Sequence, residues 1–519
     1  MKFGILSFIL FIALLNSLSA QSTFQKAYGK FDDEFPTAIR QTSDGGFIVT
    51  AGLPMLMRLN GIGDTMWTRT FENCSAACVD ETADHGFIVT GSYLQLVPTY
   101  IDDVSMIKFD GQGNIIWAKA IGDSDSDYPG FVSNTSDGGY IFTGNTFDPS
   151  IDIVSSFLVK IDNNGNFQWS KKISGGGVNL CASFAHELPG GGYILGGKLY
   201  KSPPYEESVF LVKTDNSGNI IWSNMYRDSA ESSNTDGGIA QTSDGGVLLS
   251  FSTAYTTSIS QIRLVKTDNA GAVVWAKAYS HSDGLVGTSV SEIANQSIII
   301  GAYKVPPTPF NQVDECIIIA DSGGHPNSSI AYGGSNYEIT KDVHQNSDGG
   351  YIINGYTSSF GAGHSDIYII RTDSSGDSGC NQSNFILNEA IAQITDSALV
   401  LSCIPWMTPY SITMNEMDSA LTVTTICLHD GIDENSIAGN VISSYPNPST
   451  GEFEIQFQKP IDHGVIIVRN SIGEIVFSKH ISTLLTEKIN LNNQASGIYF
   501  LQVYNGVKYL ESKLVVIRN

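Results

Sequence analysis

The residues with the chemistry to act are acidic, and they recur. Asp44, Asp84, Asp137, Asp244 and Asp348 occupy one position of a repeated phrase, written TSDGGFIVTAG from Thr42, TADHGFIVTG from Thr82, TSDGGYIFTG from Thr135, TSDGGVLLSF from Thr242 and NSDGGYIING from Asn346. Two further copies carry Gly190 and Ala294 there. A second series, Asn60, Asp110, Asp162, Asp215, Asp268, Asp321 and Asp373, follows in phrases such as KFDGQGNIIW and KTDNSGNIIW. Carboxylates serve as general acids, bases or calcium ligands. A catalytic group, however, is needed once, and these positions are written seven times. Aspartate hydrogen-bonds nearby backbone amides while glycine tolerates positive φ, so both series read as hairpin turns.

Other chemistry is sparse. The nine histidines do not recur in register; His85 replaces a turn glycine and His364 sits in a loop, so both read as surface residues. The DSDSD run from Asp123 to Asp127 lacks the glycine and distal glutamate of an EF-hand loop. Cys74 and Cys78 have no second pair or His cluster to complete a zinc site, and read as a thiol pair or local disulfide. HExxH, GxSxG, P-loop and dinucleotide fingerprints are all missing, so no catalytic residue, metal or cofactor is assigned.

The elements that position these groups form a repeat. The first landmark recurs at gaps of 40, 53, 53, 54, 50 and 54 residues, giving seven units. A period near fifty residues is the mark of a repeat architecture. Short apolar runs such as YIFTG, SFLVKID and FQWSKKI, bounded by Gly, Asn or Asp, read as four strands per unit. Four-stranded antiparallel units repeated radially make an all-β propeller. The seventh unit stops at Cys380 without its last strand, while FQKAYG, Phe24 to Gly29, matches that strand with Phe in place of Trp. The amino end is therefore expected to close the ring, which a linear solenoid would not need. Trp67, Trp117, Trp169, Trp222 and Trp275 are expected to pack between blades.

With the short turns on one face, the longer loops fall on the other and vary between units, as binding surfaces do. Tyr100, Tyr205, Tyr255 and Phe310 offer aromatic platforms there, with Asp102, Asp103 and Glu206 beside them. These are the candidate ligand-face residues.

The DxxGNxxW phrase, Asp110 to Trp117, resembles the tryptophan-docking repeats of quinoprotein propellers, which implies the packing role but not the quinone. The Asp box of sialidases is similar, with Asp and Gly one residue closer together than here. YPNPSTGEFEIQF (445–457), VRNSIGEIVFS (468–478) and ASGIYFLQVYNGVKYLESKLVVIRN (495–519) together resemble the type A C-terminal sorting domain of the Bacteroidetes type IX secretion system. That resemblance implies a small β-sandwich, passage through the periplasm and across the outer membrane, and the secretion machinery as partner of residues 441–519. The DSA triplets resemble an O-glycosylation sequon of Bacteroidetes, which marks Ser397 and Ser419.

The chain thus divides into a signal peptide (1–20), a seven-bladed β-propeller (21–380), a connector with at most a short hairpin (381–440), and a sorting β-sandwich (441–519). Cys403 and Cys427 of that connector, each ending a DSAL phrase, are a candidate pair. The start, with Lys2 and an apolar Ile5 to Leu15 before Ala20, reads as a removable leader, and no later stretch is apolar enough to span a bilayer. A net charge of −24 opposes binding to nucleic acid. The expected function is a secreted or cell-surface binding or structural module for glycan or protein rather than an enzyme. The alternative is an extracellular polysaccharide hydrolase or lyase with carboxylates in the propeller channel.

Overall fold

A computed structural model describes residues 22–429 and 442–516, apart from 31–32, 53–54, 96–100, 123–125, 202–205, 229–232, 235–236, 254–258, 308–311, 408, 413, 415, 420, 448, 471–474 and 505–508. The chain forms two units, Gln21–Asp430 and Gly431–Asn519.

In the first unit seven antiparallel sheets make the blades of a propeller. Blades 1 to 6 span residues 36–71, 78–121, 126–175, 179–228, 233–280 and 284–332; blade 7 combines 338–372 with 23–29. Each blade packs a neighbour on both faces, so its middle strands are apolar on both sides: Phe157, Leu158 and Val159 of blade 3 are all fully buried. The ring closes as the repeat predicts. Thr23–Gly29 pairs antiparallel with Asp366–Thr372, with Phe24 opposite Arg371.

Phe24 also takes over the tryptophan's work. A Cβ at Gly113 would lie 3.0 Å from the Trp67 ring of the preceding blade, and a Cβ at Gly63 would lie 2.6 Å from Phe24. Both glycines hold positive φ, so the turn can take that shape and admit the ring only without a side chain.

The turn aspartates are structural. Asp44 pairs with Arg58, Asp84 with Lys108, Asp137 with Lys160, Asp244 with Lys266 and Asp348 with Arg371, at 2.5 to 3.0 Å. The cation is the buried partner in each pair, so its carboxylate satisfies a charge that would otherwise be stranded. Where the aspartate is lost the cation is redirected or lost too: in blade 4, which has Gly190, Lys213 reaches Asn269 at 2.5 Å, and in blade 6, which has Ala294, the cation position is Ile319. The residue after the turn threonine links blades. Ser43 N–H donates to Glu81 at 2.6 Å, Ser243 N–H to Glu292 at 2.7 Å, and Ser347 N–H to Gln41 across the closure at 2.7 Å.

Residues 382–429 are not a connector. They run backwards around the ring and add a fifth, outermost strand to every blade: Gln382–Asn384 on blade 6, Asn388–Ile391 on 5, Ile394–Ala398 on 4, Leu401–Pro405 on 3, Tyr410–Ser411 on 2, Glu416–Asp418 on 1 and Thr422–His429 on 7. Along its length this belt sends apolar side chains into the seams. Each of the seven inter-blade clusters receives at least one, including Leu387, Ile394, Leu399, Trp406, Ile412, Leu421 and Ile426. Trp406 stacks on Phe157 with ring centroids 4.2 Å apart. The belt's two ends meet in a Cys380–Cys427 disulfide. This overturns the expected Cys403–Cys427 pair: Cys403 is a free thiol on blade 3, Cys427 lies on blade 7, and the ring separates them.

The second unit is also all β. Ile442–Tyr445, Glu452–Arg469, Gly497–Tyr504 and Tyr509–Val516 pair in that order, and Ile475–Asn490 pairs along Glu452–Arg469. Register shifts between Gln456 and Ile461, and such an irregularity lets a long strand bend. The sheet then encloses its own core of Phe453, Ile455, Val468, Leu501 and Leu514.

Candidate ligand site in the central channel

The first strand of every blade faces the axis, and together the seven line a cavity of about 880 Å³. Its character is set at one register position, two residues before the turn threonine or its equivalent. Around the ring that position reads Arg40, Asp80, Ser133, His186, Ala240, Ser291 and His344. Blades 7, 1 and 2 thus carry ionisable groups side by side, blade 4 adds a histidine, and blades 5 and 6 leave space, while in blade 3 Ser133 is buried, donating to the Ala185 carbonyl at 3.1 Å, and Phe131 lines the cavity instead. His186 and His344 do share a register, contrary to the sequence reading. Leu188 and Gly190 stand where the turn threonine and aspartate would be.

The charged sector is prearranged. Arg40 donates to Asp342 at 2.6 Å, meets the His344 ring at 2.5 Å and donates to its own neighbour's carbonyl, Ile39, at 2.6 Å. His344 lies 3.0 Å from Asp342. Burial would raise the Asp342 carboxyl, but His344 and Arg40 outweigh it and hold the group far below the usual carboxylate range. Asp80 goes the other way: burial raises it, against the pull of Arg40 and hydrogen bonds from Asn134. Burial, with Arg40 and His344 nearby, lowers His186 to about 4, so its imidazole is neutral at physiological pH. Its ring centroid lies 5.1 Å from that of Phe131 and 4.9 Å from that of Phe184, and Arg40 stands over Phe131 at 5.8 Å.

Among the described residues no group of three or more His, Cys, Asp or Glu side chains is placed to hold a metal ion. Cys78 lines the channel as a buried thiol that burial raises to about 11, and Cys74, also free, is raised to about 11 by burial.

Of the predicted ligand-face residues, Asp102, Asp103 and Glu206 fall among the described ones, and none of the three lines the channel. Tyr100, Tyr205, Tyr255 and Phe310 lie outside the described residues. Asp102 is half-buried in blade 2, and Glu206 pairs with Arg227 of blade 4 at 3.2 Å. Asp103 is 3% exposed and converges with Asp127 on Gly122 at the seam of blades 2 and 3, so it belongs to packing rather than to the open face. Ser397 is exposed on the belt strand of blade 4, while Ser419 is half-buried and accepts from Lys30 at 2.8 Å. Sequence reasoning missed the channel set because it searched for what repeats; the usable signal was one position that varies between two that do not.

Residues 443–517 match the secretion system C-terminal sorting domain family. No curated protein matches the chain. Among solved structures the chain is similar to BamB from Moraxella catarrhalis, at 11% identity over 66% of this chain and 86% of that one with a TM-score of 0.35. It is also similar to the WD40 β-propeller domain of Doa1, at 9% identity over 68% and 98% with a TM-score of 0.40. A third likeness is to an ulvan lyase, a polysaccharide lyase, at 10% identity over 67% and 96% with a TM-score of 0.44. No helix among the described residues is long and apolar enough to cross a membrane. This chain is a β-propeller joined to a sorting domain that directs it through the type IX secretion system to the cell surface or the extracellular space.

Proposed function

We propose that the exported propeller is a glycan-binding module and that the central channel is its ligand site. The observation that carries this reading is the asymmetry of the channel register. Four blades place Arg40, Asp80, His186 and His344 where three place only Ser or Ala. Phe131 offers a flat apolar surface beside ionic and amide groups, the mixture by which a sugar's C–H face and hydroxyls are recognised together. The volume suits a short saccharide and not a folded protein. Ser397 and Ser419 remain candidates for O-glycosylation.

A glycan array probed with the full chain tests this, followed by calorimetry on the best ligand. Thr288 lines the channel and is half-buried. Thr288→Trp is expected to plug the lumen and weaken binding at least tenfold, with an unchanged melting temperature. Full binding by the plugged variant would move the site off the channel.

One observation favours a second reading, cleavage of the bound polysaccharide. Asp80 is raised and Asp342 lowered within one cavity, which is how an acid and a charged stabiliser are told apart. Asp80→Asn would then abolish polysaccharide degradation while leaving affinity intact. Arg40 already engages Asp342 and His344, so binding is the better-supported function.

A further inference from the structure

The innermost strand of a blade slips register before it reaches the position of Arg40 and its counterparts. The shift falls at Thr37 in blade 1, Ser183 in blade 4, Thr288 in blade 6 and Lys341 in blade 7, and at Gly130 in blade 3 with Phe131 beside it. A bulge of this kind re-aims a side chain, and every one of these residues lines the channel. They form a second tier, three residues before the first, in which blades 2 and 5 place Ala77 and Gly237. Lys341 is therefore the one long side chain in a tier otherwise built of Gly, Ala, Ser and Thr.

Lys341 is exposed and makes no ion pair with another described residue. Its neighbour in sequence, Asp342, has one oxygen on Arg40 at 2.6 Å and the other on His344 at 3.0 Å. What the ammonium does meet is aromatic: it lies 6.0 Å from the centre of the Tyr356 ring. Phe35, 42% exposed, packs edge-on against the same ring with centroids 4.9 Å apart. The three stand at the seam of blades 7 and 1, beside the channel.

The geometry points to an acidic saccharide as the channel's ligand, its carboxylate or sulfate on Lys341 and the C–H face of the same sugar on Phe35 and Tyr356. This deepens the glycan reading and rests on it. An ammonium with no carboxylate partner gains more from an ionised acid group, which adds charge attraction to the hydrogen bond, than from a hydroxyl. The small residues of the other six blades leave room for the ring that carries the acid. At a net charge of −24 the protein repels anions at a distance, so the fit is to a short saccharide met at contact and not to a dense polyanion.

Calorimetry on the full chain with matched probes tests this: trigalacturonate and trimannuronate beside their methyl esters, and a sulfated galactan tetrasaccharide beside its desulfated form. An acidic probe is expected to bind at least tenfold tighter than its neutral counterpart. Lys341→Gln, on an exposed side chain, should erase that difference without moving the melting temperature, Lys341→Arg should keep it, and Phe35→Ala should weaken both members of a pair alike. Preference for the uronates would identify a carboxylate as the group recognised, and preference for the sulfated probe a sulfate ester. Neutral probes bound as tightly as acidic ones, or an acid preference intact in Lys341→Gln, overturns the inference but leaves the channel as a glycan site if Thr288→Trp still blocks binding. Binding of no saccharide, acidic or neutral, or full binding by Thr288→Trp, removes both.

Discussion

Replacing Cys380 and Cys427 with serine lowers the stability of the propeller by about 4 kcal/mol, the chain-entropy value for opening a loop of this length. The bridge closes a 47-residue segment that includes every strand of the belt. The clasp joins the belt's ends covalently, and most belt strands span five residues or fewer, with outer edges that pair with no other strand among the described residues. Export places the pair where disulfides persist. Denaturant unfolding of the full chain with and without dithiothreitol measures the effect, and hydrogen exchange should show amides of 382–429 opening before those of the inner strands. A midpoint unchanged by reduction would mean that the belt is held by packing alone.

The second large effect is a pH dependence that Glu315→Gln removes. Glu315 of blade 6 is wholly buried, its carboxylate presses on Gly355 of blade 7, and neither oxygen has a hydrogen-bond partner among the described residues. Glu338 lies near it, accepting from Thr357 at 2.7 Å and Gly334 at 2.9 Å. Burial first, and the Glu338 charge second, push the Glu315 carboxyl well above its usual range. The folded state therefore holds a proton that the unfolded chain releases near its ordinary value, so stability is full at acid pH and falls as pH rises above about 4.3. One proton sets the limit at about 1.4 kcal/mol per pH unit until the folded carboxyl ionises. Glutamine keeps the shape without the proton. We expect Glu315→Gln to match the unaltered protein at pH 4 and to melt higher at pH 7.5. Parallel pH profiles for the two proteins would show that Glu315 is solvated or paired.

What could be read from sequence is what the fold needs in every blade. SDGG and DxxGN recur because each blade makes the same two turns, and Trp67 and its counterparts recur because six of the seven seams take a ring. Phe24 betrayed the closure because it completes a phrase begun in the seventh unit. The belt was invisible for a physical reason: a fifth strand such as Leu401–Pro405 packs only Leu401 and Cys403 on the seam and needs one hydrogen-bonded edge, too short a run to carry a period. The DSAL echo pointed to a Cys403–Cys427 pair that the reverse path around the ring forbids. Arg40, Asp80, His186 and His344 were missed because each is written once, in a strand whose fold requires only that the position face the axis.

The central claim is a ring wrapped in reverse order by its own carboxyl-side chain, and engineered cross-links test it directly. Ser174 faces Ser402 on blade 3, and Ser280 faces Asn388 on blade 5. Opposite residues of neighbouring antiparallel strands lie within disulfide reach. Peptide mass mapping should find the bridge in Ser174→Cys/Ser402→Cys and in Ser280→Cys/Asn388→Cys, and none in the exchanged pair Ser174→Cys/Asn388→Cys. A bridge in the exchanged pair alone would contradict the reverse path.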